Sequence, residues 1–148
     1  MRASRFALFA ALVALTAPAL RAQGASEEAA VRRAALDYLE GFYEGDTAKL
    51  TRGIWPEVRK YGYWNDKGTY TGEAMSYKQI IEYGLNVKSG KSKVPANPPK
   101  DVKIFEIQDQ TAAVKITAWW GTDYLLLAKE KGKWMITHVL WQGPLKQP

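Results

Sequence analysis

The sequence predicts an α+β fold in which three helices from the first half of the chain pack on a strongly curved antiparallel sheet of about six strands. Three observations carry this prediction. An early segment has apolar residues at the spacing of one helix face, and a central segment has the pattern of a hairpin followed by a helix. The stretch Ala112–Trp141 divides into three strands joined by short turns, which force neighbouring strands to pair antiparallel.

The first predicted helix runs over Ser26–Glu44. Ser26 is a suitable cap, and Gly45 can end the helix in the left-handed conformation. Asp46 can then cap a short second helix that ends near Gly53. The apolar face of the first helix consists of Val31, Ala34, Ala35, Tyr38, Leu39 and Phe42.

A hairpin and a third helix follow. Strands are predicted over Val58–Trp64 and Thr69–Gly72, with a turn at Asn65–Gly68 between them. Ser76 and Gln79 have the spacing of a capping box, so a helix is expected from there to about residue 88.

The second half of the chain begins with a proline-containing and lysine-rich loop over Lys91–Lys100. Val102–Ile107 begins the final strands. Turns are expected at Gly121–Thr122 and at Lys131–Gly132.

Residues 1–22 have the organisation of an export signal. Arg2 and Arg5 precede the apolar run Phe6–Leu15, which is too short to anchor the chain in a bilayer, and small residues follow. Cleavage after Ala22 would release a single domain over residues 23–148. The protein is therefore expected in the periplasm or secreted, with no stable membrane anchor after cleavage.

Charge and composition exclude several classes of function. Without its first 22 residues the chain loses three arginines and no acidic residue, which leaves 18 basic against 15 acidic residues. This small excess does not indicate a nucleic-acid partner. With one histidine and no cysteine in the sequence, we expect neither a metal site nor a cofactor.

Several segments resemble one known family. They are Asp37–Asp46 in the first helix, Trp55–Glu57 after the second, and Asp123–Lys129, Gly132–Ile136 and Val139–Trp141 in the last strands. The chain resembles the nuclear transport factor two-like superfamily, and within it the putative lumazine-binding family. The resemblance implies a cone in which a bent antiparallel sheet and its helices enclose a cavity. It also implies a homodimer packed through the outer sheet face.

His138 is the first candidate for chemistry. Strict alternation along the last strand places Trp134, Ile136 and His138 on one face, and the resemblance implies that this face looks into the cavity. A single imidazole can act as a general acid or base near neutral pH. The alternative is a buried histidine with a purely structural hydrogen bond.

Asp123 and Tyr124 are the other catalytic candidates. They can place a carboxylate beside a phenol at the cavity mouth, an arrangement that resembles isomerase members of the superfamily. The alternative is that Asp123 caps a turn while Tyr124 fills the core.

Aromatic side chains give the strongest indication of ligand binding. Rings with a few polar edges suit a planar ligand, although a dry core plus a dimer interface would also contain them. The predicted pocket is lined by Tyr38, Trp55, Tyr61, Tyr63, Trp119, Trp120, Tyr124, Trp134 and His138.

These observations favour an exported protein that binds a small, aromatic molecule without transforming it. Two alternatives stay open. One is an isomerase- or hydrolase-like enzyme with His138 or Asp123 as its acid/base group. The other is a dimeric interaction module with no ligand.

Overall fold

The computed structural model describes the backbone of residues 16–145 and the side chains of residues 23–145. Helices are α1 (Thr16–Glu44), α2 (Thr47–Gly53) and α3 (Tyr77–Lys88), and strands are β1 (Ile54–Asp66), β2 (Thr69–Met75), β3 (Asp101–Ile107), β4 (Thr111–Ala118), β5 (Gly121–Glu130) and β6 (Lys133–Gln142). The predicted signal segment lies mostly outside the described residues. No described helix is long and apolar enough to cross a membrane.

The three helices pack on one six-stranded sheet with the order β2-β1-β6-β5-β4-β3, as the α+β prediction requires. The sheet is mixed, because β1 runs parallel to β6 while every other neighbouring pair is antiparallel. It is also open, since β2 and β3 form its edges. Strands β1 and β6 are far apart in the sequence, so no turn between them could reveal their parallel direction.

Local capping signals place the helices as predicted. The Asp46 side chain accepts hydrogen bonds from two backbone N–H groups of α2, and Gly45 before it has a φ of 66°. Ser76 and Gln79 form a complete capping box at the start of α3. The cap predicted at Ser26 is wrong, because α1 is already helical from Thr16 and runs through that position.

The turn between β4 and β5 differs from the prediction. Ala118 pairs with Gly121, so Trp119 and Trp120 form the turn and the predicted position at Gly121–Thr122 is wrong. Gly121 has a φ of 131°, and a Cβ there would lie 2.0 Å from the Gln142 carbonyl oxygen. This close approach fixes the strand start at the glycine and leaves the two indoles free to pack toward α1.

A bulge in β6 decides which side chains face the core. Leu127 pairs with Ile136 and Leu126 pairs with His138, so Thr137 is an extra residue on β6. The inward positions along this strand are therefore Trp134, Ile136 and Val139, all of them buried. The sheet buries this inner face against the apolar side of α1, where Val31, Ala35, Tyr38 and Leu39 have no exposed surface.

Candidate functional site

Tyr38, Lys60 and Asp123 form a hydrogen-bonded trio between α1 and the inner sheet face. The Lys60 ammonium donates to the Tyr38 hydroxyl oxygen at 2.5 Å, and that hydroxyl donates to Asp123 Oδ2 at 2.6 Å. Lys60 Nζ itself lies 3.6 Å from Asp123 Oδ2. All three residues are buried, with exposed fractions of 0 % for Tyr38 and Asp123 and 8 % for Lys60. The trio is thus an ion pair bridged by one phenol.

Each member of the trio is positioned by a different element. Tyr38 lies on the apolar face of α1, Lys60 on β1 and Asp123 on β5. Strand alternation turns Lys60 inward, since Val58 and Gly62 on either side of it share the buried face. The second carboxylate oxygen of Asp123 also accepts a hydrogen bond, because Trp120 Nε1 donates to Oδ1 at 2.6 Å.

Burial controls the protonation of the trio. Burial lowers the pKa of Lys60, and the Asp123 carboxylate opposes part of this shift by favouring the charged amine. Burial also raises the pKa of Tyr38 well above its ordinary value, and the negative charge of Asp123 acts in the same direction. Tyr38 therefore stays a neutral phenol across the physiological range.

A cavity of about 150 Å³ adjoins the trio. Lys60 contributes the charged group in its wall, and the other lining residues are Phe42, Met75, Tyr83, Trp120 and Trp141. The amine lies 5.3 Å from the centre of the Phe42 ring and 5.9 Å from that of Trp141, within the range of cation–π attraction. The site is therefore a small aromatic cavity with one amine in its wall.

The Trp141 ring sits over a glycine. A Cβ on Gly62 would lie 2.0 Å from Trp141 Nε1, so a side chain at position 62 would displace the indole. The opposing ring of Trp64 is nearly parallel to that of Trp141, with an angle of 6° and a centre-to-centre distance of 6.3 Å. This packing holds Trp141 as one wall of the cavity.

Two of the nine predicted pocket residues lie at this site. Trp120 lines the cavity, and Tyr38 lies behind Lys60 as its hydrogen-bond acceptor. Trp119 packs edge-on against Trp120 with ring centres 6.1 Å apart, and its buried Nε1 has no hydrogen-bond partner among the described residues.

Trp134 is buried away from the cavity lining. Its Nε1 donates to Glu27 at 2.7 Å, and Lys129 donates to the same carboxylate at 2.5 Å. Trp55 is partly exposed on β1, outside the cavity. Neither Trp134 nor Trp55 lines the cavity beside Tyr38, Lys60 and Asp123.

The inward orientation predicted for His138 is wrong. The extra residue Thr137 shifts the alternation of β6, so the imidazole is exposed on the outer sheet face. Among the described residues its hydrogen-bond partner is the Thr137 hydroxyl, at 3.1 Å. Tyr61, Tyr63 and Tyr124 are also on that outer face, each of them 42–50 % exposed. Ordinary alternation along β1 and β5 turns these three tyrosines outward, so they do not line the inner cavity.

The candidate acid/base arrangement does not assemble. Asp123 points inward and Tyr124, the next residue along the strand, points outward, so the carboxylate and that phenol lie on opposite faces. His138 is likewise separated from Asp123 by the sheet. Tyr124 does not fill the core either, because half of its surface is exposed.

The alternation of residues along β1 indicates that Lys60 faces inward, although its residue type alone suggests an exposed side chain. Positions 58, 60, 62 and 64 of β1 share one face, and Val58 identifies that face as buried. A lysine at an inward position of a strand is rarely buried without an oppositely charged partner. Asp123, on the inner face of β5, is the buried carboxylate that fills this role. Met75 and Tyr83 carried no such signal, because Met75 ends β2 and Tyr83 lies on α3, so their approach to the cavity depends on how these two elements pack.

Comparisons with known proteins agree with this fold. Residues 26–142 match the family model described as "Putative lumazine-binding". A search of curated proteins finds no match.

Solved structures share the architecture at low sequence identity. An NTF2-like protein of unknown function from Silicibacter pomeroyi is 17 % identical, with a TM-score of 0.62 over 82 % of this chain and 98 % of its own. One from Shewanella baltica is 16 % identical, with a TM-score of 0.62 over 82 % and 97 % of the two chains. A third, from Methylobacillus flagellatus, is 20 % identical, with a TM-score of 0.58 over 81 % and 94 %.

These likenesses establish the fold, and the match of the family model over most of the chain establishes the family. The chain has the NTF2-like fold and belongs to the putative lumazine-binding family.

Proposed function

We propose that this protein binds a small, planar aromatic molecule in the cavity beside Lys60. The observation that carries the proposal is the composition of the cavity wall, which combines aromatic rings with a single buried amine. Rings offer flat apolar surface, while one polar group fixes the orientation of a ligand.

The size of the cavity limits what can enter. A volume of about 150 Å³ is comparable to that of an engineered apolar cavity, also roughly 150 Å³, that takes up benzene in another protein. One aromatic ring therefore fits inside. A larger planar ligand would insert one ring and leave its remainder outside the cavity.

Toluene is a suitable first probe because it tests the cavity without any polar contact. Trp120 and Trp141 line the cavity, so binding should change tryptophan fluorescence and raise the melting temperature of the protein. We expect Met75→Trp, which fills the cavity, to abolish the toluene-induced rise. Met135→Trp makes the same change on β6 outside the cavity lining and should leave the rise intact. Toluene binding that is equal in both variants would refute the proposal.

We also propose that a second copy of this chain covers the outer sheet face. Support comes from large apolar side chains that are 42–52 % exposed there, namely Tyr61, Tyr63, Tyr124, Leu126 and Leu140. Glu57 and Arg59 adjoin the same face, so a two-fold contact can pair opposite charges. Leu126→Lys should produce monomers in analytical ultracentrifugation. A wild-type protein that sediments as a monomer at high concentration would exclude the dimer.

Export is proposed from the sequence alone. The basic residues, apolar run and small residues of positions 1–22 predict a mature chain that begins at Gln23. Expression of the full chain in a Gram-negative host, followed by mass measurement of the periplasmic fraction, tests this directly. Full-length protein confined to the cytoplasm would refute it.

A further inference from the structure

The Lys60 ammonium has donor capacity that the trio does not use. An ammonium carries three N–H donors, and one hydrogen bond from Lys60 is found among the described residues, the one to Tyr38. Asp123 Oδ2 lies 3.6 Å from the Lys60 amine, which is too far for a direct hydrogen bond. A ligand in the cavity can therefore supply an acceptor for an otherwise unmet donor.

The charge of the site is already balanced. Lys60 contributes one positive charge and Asp123 one negative charge, and both groups are buried. The remaining residues of the cavity wall, which are Phe42, Met75, Tyr83, Trp120 and Trp141, bring no further positive charge. A carboxylate that entered would leave one unmatched negative charge in an apolar surrounding, which is costly.

We propose that Lys60 and Asp123 together select an aromatic ring that carries an uncharged carbonyl group, and that they reject the same ring carrying a carboxylate. The carbonyl oxygen accepts from Lys60, while the ring packs among Phe42, Trp120 and Trp141. Asp123 thus acts as a specificity residue without touching the ligand. The inference rests on the proposed function, because it concerns the same cavity.

Benzamide and benzoate test this directly, since they have nearly the same shape and differ in charge at neutral pH. We expect benzamide to bind the wild-type protein at least roughly tenfold more tightly than benzoate, measured by tryptophan fluorescence and calorimetry. Benzoate affinity equal to or greater than that of benzamide overturns the inference.

Asp123→Asn supplies the decisive variant, because it removes the negative charge and keeps the shape of the side chain. Lys60 is then uncompensated, so the ratio of the two affinities should move toward benzoate by roughly tenfold or more. Asp37→Asn is the matched control. Asp37 is also a buried carboxylate, but its partners are Arg33 and Arg52 at the α1–α2 contact, so the ratio should not change. An unchanged ratio in Asp123→Asn overturns the inference.

Lys60→Met separates this inference from the proposed function. The variant should still bind toluene, which shows that the cavity has folded. It should bind benzamide more weakly than the wild type does, because the Lys60 donor is gone, and it should still reject benzoate, because the charge of Asp123 is then uncompensated. Wild-type protein that binds toluene with no preference between the other two compounds refutes only the selection by Lys60 and Asp123. Failure of all three compounds to bind refutes the proposed function and this inference with it.

Discussion

Gly62→Ala is the sharpest test of how the cavity wall is held. The added Cβ would lie 2.0 Å from Nε1, 2.1 Å from Cδ1 and 2.2 Å from Cε2 of the Trp141 ring. Since non-bonded carbon atoms prefer a separation of about 3.5–4.0 Å, the ring must recede by about 1.5 Å. The indole forms part of the cavity wall, so one direction open to it is the cavity of about 150 Å³.

The energetic cost follows from two opposing effects. Overpacking of a fitted interior costs about 1–3 kcal/mol, while replacing a strand glycine with alanine recovers about 0.5–1 kcal/mol of chain entropy. The midpoints of the two ranges differ by about 1.25 kcal/mol, so we expect Gly62→Ala to lower the free energy of unfolding by about 1 kcal/mol. Toluene should also bind more weakly, because the displaced indole occupies part of its site.

Urea denaturation followed by tryptophan fluorescence measures the first effect. Gly143→Ala is a matched control, because a Cβ there meets its nearest neighbours at 3.6 Å, an ordinary contact distance. The double variant Gly62→Ala/Trp141→Leu removes the ring that clashes, so the cost of the alanine should largely disappear in that background. A Gly62→Ala protein as stable as wild type, or a cost unchanged by Trp141→Leu, would refute the reasoning.

The remaining predictions concern a proton, a surface group and a helix contact. Burial raises the pKa of Tyr38, so this phenol ionises in the unfolded chain at lower pH than in the folded protein. Its contribution to stability is therefore complete below about pH 10 and falls as the pH rises above that value. Tyr38→Phe should reduce this alkaline loss of stability, measured by urea denaturation at a series of pH values. His138→Ala should leave toluene affinity unchanged in calorimetry, since the imidazole lies on the outer face; a large loss would contradict the placement of the cavity. Glu27→Gln should shift the emission of Trp134 and speed hydrogen exchange in α1 around residue 27, because Lys129 and Trp134 both donate to that carboxylate. Unchanged exchange would show that the contact does not hold the helix.

Local signals made much of the fold predictable. The cap at Asp46, the capping box of Ser76 and Gln79, and the turn at Lys67–Gly68 each depend on residues within a few positions of one another. Such interactions are visible in the sequence because both partners are neighbours along the chain. The parallel pairing of β1 with β6 is not local, and the antiparallel sheet was expected because every visible turn joins antiparallel neighbours.

The site was only partly predictable, for a related reason. Asp123 could be proposed from its place after a turn, Trp120 as one of the aromatic side chains of the predicted sheet, and Tyr38 from the apolar face of α1. Lys60 was missed because a lysine in a strand is ordinarily solvated, although the apolar Val58 two positions earlier indicates that this face is buried. The trio joins residues from three elements, and the sequence separation between Tyr38 and Asp123 is 85 positions.

One extra residue in β6 determines the chemical character of the cavity. Without the bulge at Thr137, strict alternation from Ile136 would turn His138 inward and Trp141 outward. With it, Val139 pairs with Leu125 on the inner face, and Trp141 comes opposite both Gly62 and Asp123. Gly62 then makes room for the indole, and Asp123 stands where it can pair with Lys60. The same sequence without the bulge would place an imidazole on the inner face. The bulged strand instead places Trp141 beside a buried ion pair of Lys60 and Asp123, and this arrangement is the basis of the ligand selection proposed above.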